Sequence, residues 1–72
     1  MNLPEVNQII EIKTEFLSNT EPETRKRALY TLGRFGNEGI DTIHELIEST
    51  QNDDIKACGL EVITKTKKSL NL

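Results

Sequence analysis

The sequence predicts an all-α fold: an α-solenoid fragment of four antiparallel helices, arranged as two stacked helical hairpins. Three observations carry this. Displaced by 31 residues, the chain matches itself, with Ile9 falling on Ile40, Ile12 on Ile43, Phe16 on Ile47, Arg25 on Lys56, Leu29 on Leu60 and Leu32 on Ile63. A fixed period of this kind marks an architecture in which each unit buries its apolar face against the next. Apolar residues recur at helical spacing in four segments, each bounded by capping or turn residues. The period-two alternation of strands is absent, and no two apolar runs flank an Asn-Gly or Asp-Gly turn. A single domain over 1–72 is expected, with repeat one at about 4–35 and repeat two at about 37–68.

The first helix follows Leu3-Pro4, proline suiting a first helical turn, and its Val6, Ile9, Ile10, Ile12, Phe16 and Leu17 form two adjacent apolar stripes. Ser18-Asn19-Thr20 ends it. Thr20 and Glu23 then read as a capping box with Pro22 in the first turn, opening a second helix from about Glu21 to Arg34 whose apolar side is Ala28, Leu29, Leu32 and Phe35. Gly36-Asn37-Glu38-Gly39 supplies a stop and then a new cap at Asn37. The third helix carries Ile40, Ile43, Leu46 and Ile47 and ends near Thr50. Asn52 caps the fourth, where Asp53 and Asp54 meet the positive end of the helix dipole and Lys65, Lys67 and Lys68 lie toward its negative end. Its apolar side is Ile55, Gly59, Leu60, Val62 and Ile63. Short connections set consecutive helices antiparallel. The expected core is Ile9, Ile12, Phe16, Leu29, Leu32, Ile43, Ile47 and Ile63.

A chain of 72 residues buries only about 60% of the surface its unfolded form exposes, so modest stability is expected. The net charge of −3 and pI near 5.0 disfavour a broad grip on phosphate backbones. A lone cysteine, Cys58, excludes an internal disulfide, and with His44 it falls short of the four ligands of a structural zinc site. No secretory leader pattern and no run of roughly 18 apolar residues is present, so the expectation is a cytoplasmic protein with no membrane attachment. Met1 to Leu72, without tag residues, fits a small natural protein.

The stretch EPETRKRALYTLGRFGNEGIDTIHELIESTQNDDIKACGLEVI resembles the HEAT-like repeats of the phycobilisome-lyase type. Glu21-Pro22-Glu23-Thr24-Arg25, Ala28-Leu29, Leu32-Gly33 and Gly36 match that pattern closely, and Asn52-Asp53-Asp54-Ile55-Lys56 with Leu60 and Ile63 forms a weaker second copy. The resemblance implies an outer convex layer of the first and third helices and an inner concave layer of the second and fourth. The chain departs from the pattern in having two units, where solenoids ordinarily have about three or more. Gly59 replaces Ala28 and Thr64 replaces Gly33, drift of the kind seen in terminal capping units.

Two surfaces stand out. The second stripe of the first helix, Val6, Ile10 and Leu17, aligns with Asn37, Asp41 and Glu48, so the first unit is apolar where the second is polar. This predicts an apolar strip at the N-terminal end, covered by a partner, by a second copy in a homodimer, or by the chain's own Leu3, Leu70 or Leu72. On the concave side implied by the resemblance lie Arg27, Tyr30, Arg34 and Lys65, types suited to interfaces or simply to a solvated face. Arg25 and Lys56 are expected to pair with acids of adjoining turns. No residues form a catalytic constellation, a cofactor motif or a metal site: His44 has only Glu48 near it on its helix, and Cys58 reads as small apolar filler. The expectation is a non-catalytic protein-interaction module, an adaptor or regulator. The alternatives are nucleic-acid binding through Arg25, Lys26, Arg27 and Arg34, or an accessory subunit of a bilin-lyase-like enzyme.

Overall fold

The computed structural model describes residues 3–70, and the described chain is all helical. Its helical residues form three uninterrupted runs, 3–18, 22–49 and 53–70. The middle run is bent: α2 (Pro22–Leu32) passes through a 3-10 turn (Gly33–Phe35) directly into α3 (Gly36–Ser49). α1 (Leu3–Ser18) precedes it and α4 (Asp53–Leu70) follows. The separate loop expected at Gly36-Asn37-Glu38-Gly39 is therefore absent. Gly36, with a φ of +66°, turns the chain within one residue, in a backbone region open mainly to glycine. Gly39 then lets α3 pass the end of α2, because a Cβ there would collide with the Leu32 carbonyl oxygen.

The three expected caps fare differently. Asn52 acts as one: its Oδ1 accepts from the backbone N–H of Asp54 at 2.9 Å and of Ile55 at 3.2 Å. Thr20 does not. The residue before α2 is Glu21, in extended conformation, and it makes no side-chain cap bond. Pro22 lessens what is lost, since its missing N–H is one fewer unpaired donor in the first turn. Asn37 lies inside α3, whose N-cap is Phe35, so continuous helix leaves it nothing to cap.

Arg25 corrects another expectation. Among the described residues it pairs with no acid; its Nε–H donates to the Asn19 carbonyl at 2.6 Å, and its guanidinium lies 4.9 Å from the centre of the Phe16 ring. One side chain thus satisfies a carbonyl at the end of α1 and covers the aromatic ring that α1 inserts into the core.

α1 packs against α2 and α3, α4 packs against α2 and α3, and α2 packs against α3. One apolar cluster joins all four helices, with Phe16, Leu29, Leu32, Ile43, Leu46 and Ile55 sealed from solvent. Of the expected core, Ile9, Phe16, Leu29, Leu32, Ile43, Ile47 and Ile63 are buried and Ile12 is half-buried. Leu60, read as part of the apolar side of the fourth helix, is 52% exposed, although its repeat counterpart Leu29 is fully buried. Leu29 faces α4, its Cδ1 lying 3.6 Å from where a Cβ on Gly59 would stand. After α4 the described chain has no further helix to cover Leu60.

Candidate functional site

Two long-range polar contacts tie like-placed helices together. Lys13 of α1 donates to Glu45 Oε2 of α3 at 2.7 Å, and Thr66 Oγ1 of α4 donates to the Gly33 carbonyl at 3.3 Å. Each pair of helices, α1 with α3 and α2 with α4, then presents its own groove.

Along α1, Val6, Ile10 and Leu17 are 37%, 54% and 52% exposed. Val6, Ile9 and Ile10 line a groove of about 250 Å³, whose opposite wall is Glu38, Asp41 and Thr42 of α3. The first half of the stripe therefore lies beside α3. Helix periodicity explains this: Val6, Ile10 and Leu17 share a flank with Lys13, the residue that reaches Glu45. Leu70 does not cover the stripe, since it stands near Gly36 and lines the other groove. The Leu3 side chain and Leu72 lie outside the described residues.

The groove between α2 and α4, about 460 Å³, brings together three of the four residues expected on that side, Tyr30, Arg34 and Lys65. Arg27 is exposed but does not line it. Its apolar surface comes from Val62 and Leu70, with Gly33 and Gly36 leaving backbone accessible and Thr66 and Ser69 adding hydroxyls. Leu70, Val62 and the two glycines were not singled out for this role by sequence, because the groove forms only where α2 and the 3-10 turn pack against α4. Lys65 pairs with Glu61 at 3.0 Å, and that carboxylate, accepting its hydrogen bond, holds the ammonium above its ordinary range. Tyr30 is likewise raised, chiefly by hydrogen bonding with the Cys58 side chain and then by that group's charge. Cys58 itself is buried, His44 is exposed, and no cluster of three or more potential metal ligands occurs among the described residues.

The two pairs differ in charge. Among the described residues, α1 and α3 carry Glu5, Glu11, Glu15, Glu38, Asp41, Glu45 and Glu48 against Lys13 alone, a formal charge of −6. α2, the 3-10 turn and α4 carry Arg25, Lys26, Arg27, Arg34, Lys56, Lys65, Lys67 and Lys68 against Glu23, Asp53, Asp54 and Glu61, a formal charge of +4. The whole-chain value of −3 conceals this separation. The signal was present in the sequence, but only assignment of alternate helices to the same side makes it visible.

Comparison with protein-family models, curated proteins and solved structures finds no match to this chain. No helix among the described residues is long and apolar enough to cross a membrane.

Proposed function

We propose that this protein is a non-catalytic interaction module of HEAT-like form, two stacked helical hairpins that bind a protein partner in the cytoplasm. The reading is supported by the spacing of the polar cross-contacts. Lys13–Glu45 and Gly33–Thr66 join residues 32 and 33 apart, close to the 31-residue repeat, as expected where equivalent helices of successive units lie side by side. In that arrangement α1 and α3 form the convex layer and α2 and α4 the concave one.

The observation that carries the functional reading is the gathering of Tyr30, Arg34 and Lys65, from both repeats, around an apolar groove. A rigid aromatic body and cations beside apolar surface are what a protein interface uses for anchoring and rim. The Val6, Ile10 and Leu17 stripe is the second surface, for a partner or for self-association. The test is affinity capture from source cells with wild type, Arg34→Glu and Ile10→Asp, followed by titration of the purified partner. A partner that binds wild type and is lost with one variant supports the module. Equal retention by both variants, or no partner above a denatured control, rejects it.

The charge of +4 on the α2–α4 side favours one second reading, nucleic-acid binding. Phosphate contacts release counterions, so binding of this kind would show a steep loss of duplex DNA affinity with salt.

A further inference from the structure

We infer that the groove between α2 and α4 docks an acidic peptide segment of a partner protein, with one large apolar side chain of that segment seated against Val62 and Leu70. The inference rests on the interaction-module reading and names the chemistry of the partner at one of its two surfaces.

Shape and chemistry agree here. The volume of about 460 Å³ lies within the range of sites that hold a ligand group, and the groove is open along its length, as a chain segment requires. Gly33 serves the close approach of α4, since a Cβ there would lie 2.7 Å from Val62 Cγ1, while Gly36 lines the groove beside Leu70 without a side chain of its own. Leu70, 51% exposed, and Tyr30, 54% exposed, offer apolar area that burial would reward.

Charge selects the sign of the segment. Arg34 makes no ion pair among the described residues, and its planar fork suits a carboxylate. Lys65 is held only by Glu61 in a pair exposed on both sides, and such pairs contribute little, so an incoming carboxylate can exchange for Glu61 at small cost. The helices that wall the groove, α2 and α4 with the 3-10 turn, carry a net formal charge of +4, which attracts an acidic chain over a Debye length of about 8 Å at physiological ionic strength. A carboxylate-bearing peptide is favoured over nucleic acid because the groove lining is mainly apolar, with Val62, Leu70 and the Tyr30 ring beside its two cations. Phosphate backbones are gripped by cations and backbone N–H groups, and the apolar lining would be left unused.

The probe is a labelled synthetic peptide of glutamates around one central phenylalanine, beside two controls: phenylalanine replaced by alanine, and glutamates replaced by lysines. Amide chemical shifts of the full chain locate binding, and anisotropy measures affinity. The expected result is shifts at Tyr30, Arg34, Val62, Lys65 and Thr66, with affinity falling as salt rises. The alanine control should bind roughly tenfold more weakly or worse, as loss of one buried phenylalanine implies. The lysine control should not bind. Arg34→Glu with Lys65→Glu, both at exposed positions, should weaken the peptide about fivefold to tenfold, and Ile10→Asp should leave it unchanged.

The inference is overturned by no shift in this groove at millimolar peptide, by equal affinity for the alanine control, by tighter binding of duplex DNA to the same residues, or by a second copy of the chain filling the groove. Its failure is separable from failure of the module reading. A cellular partner still held through Val6 and Ile10 would reject only the assignment of this groove, whereas a partner lost from neither surface variant would reject the module itself.

Discussion

The α1–α3 pair and the α2–α4 pair expose apolar side chains to similar degrees, yet they sit in opposite fields. Val6, Ile10 and Leu17 stand among acids at −6, while Tyr30 and Leu70 stand among cations at +4. Apolar area sets how much association can stabilise; neighbouring charge sets with what. An isologous dimer over the α1 stripe would press two surfaces of −6 together, whereas the α2–α4 groove invites a partner of opposite sign. The two surfaces therefore predict opposite responses to salt.

The pairs differ only as surfaces, since one core serves both. Leu32→Ala should cost about 2–5 kcal/mol in chemical denaturation, as truncation of a sealed leucine generally does. Tyr30 fluorescence and the His44 NMR signal, reporting from different pairs, should follow one transition. If the two signals parted, each pair would have its own core and the comparison would change character. Leu60→Ala, at the exposed repeat counterpart of Leu29, should change stability by less than about 0.5 kcal/mol.

Contacts between the pairs should outweigh contacts within them. Arg25, which links α2 to α1, bonds a terminal carbonyl and covers Phe16, so Arg25→Ala is expected to cost about 1.5–3 kcal/mol. Lys13→Ala removes an exposed pair within α1–α3 and should cost about 0–1 kcal/mol, measured in the same titration. Equal losses would mean that Arg25 contributes only as an ordinary surface charge.

Self-association over the stripe, measured by sedimentation up to millimolar protein, should strengthen as salt screens the acids and vanish in Ile10→Asp. Association that weakens with salt would place the contact on the basic side. A protein that stays monomeric throughout would leave the stripe to a different partner.

The smallest effect concerns Tyr30, the one tyrosine of the chain. Its folded-state pKa is raised above the ordinary value near 10.0, so the neutral phenol is favoured by folding. This contribution is complete below the ordinary pKa and is lost as pH climbs through the folded value. Phenolate absorbance should therefore rise later with pH in the folded protein than in the unfolded one, and Cys58→Ala should move it back toward the ordinary range. No movement would show that Cys58 is not the group acting on Tyr30.

Helix content and most of the core were legible because burial leaves a periodic trace: Ile9 with Phe16, Leu29 with Leu32, and Ile43 with Ile47 stand at spacings that a helix puts on one face. What escaped depends on neighbours that local pattern does not encode. Leu60 repeats Leu29 in sequence, but one has α4 beyond it and the other has no described helix. Thr20 matched a capping pattern, yet the helix began one residue later, at Pro22. Gly59 read as drift toward a terminal unit, whereas a Cβ there would strike Ile47 of α3, so close approach of two helices accounts for it. Tyr30, Arg34 and Lys65 could be nominated by type and position, but the groove floor of Val62 and Leu70 could not, because residues 30 and 70 meet only through tertiary packing.

Gly36 and the 3-10 turn before it leave no extended residue between α2 and α3, while residues 19–21 and 50–52 are non-helical. Proteases cut where a strand of backbone can be drawn into their clefts, and here those places lie inside each repeat and not between the two. Limited digestion would release α1, an intact α2–α3 elbow and α4. The segment that recurs in the sequence and the segment that survives as one piece are thus different parts of the chain.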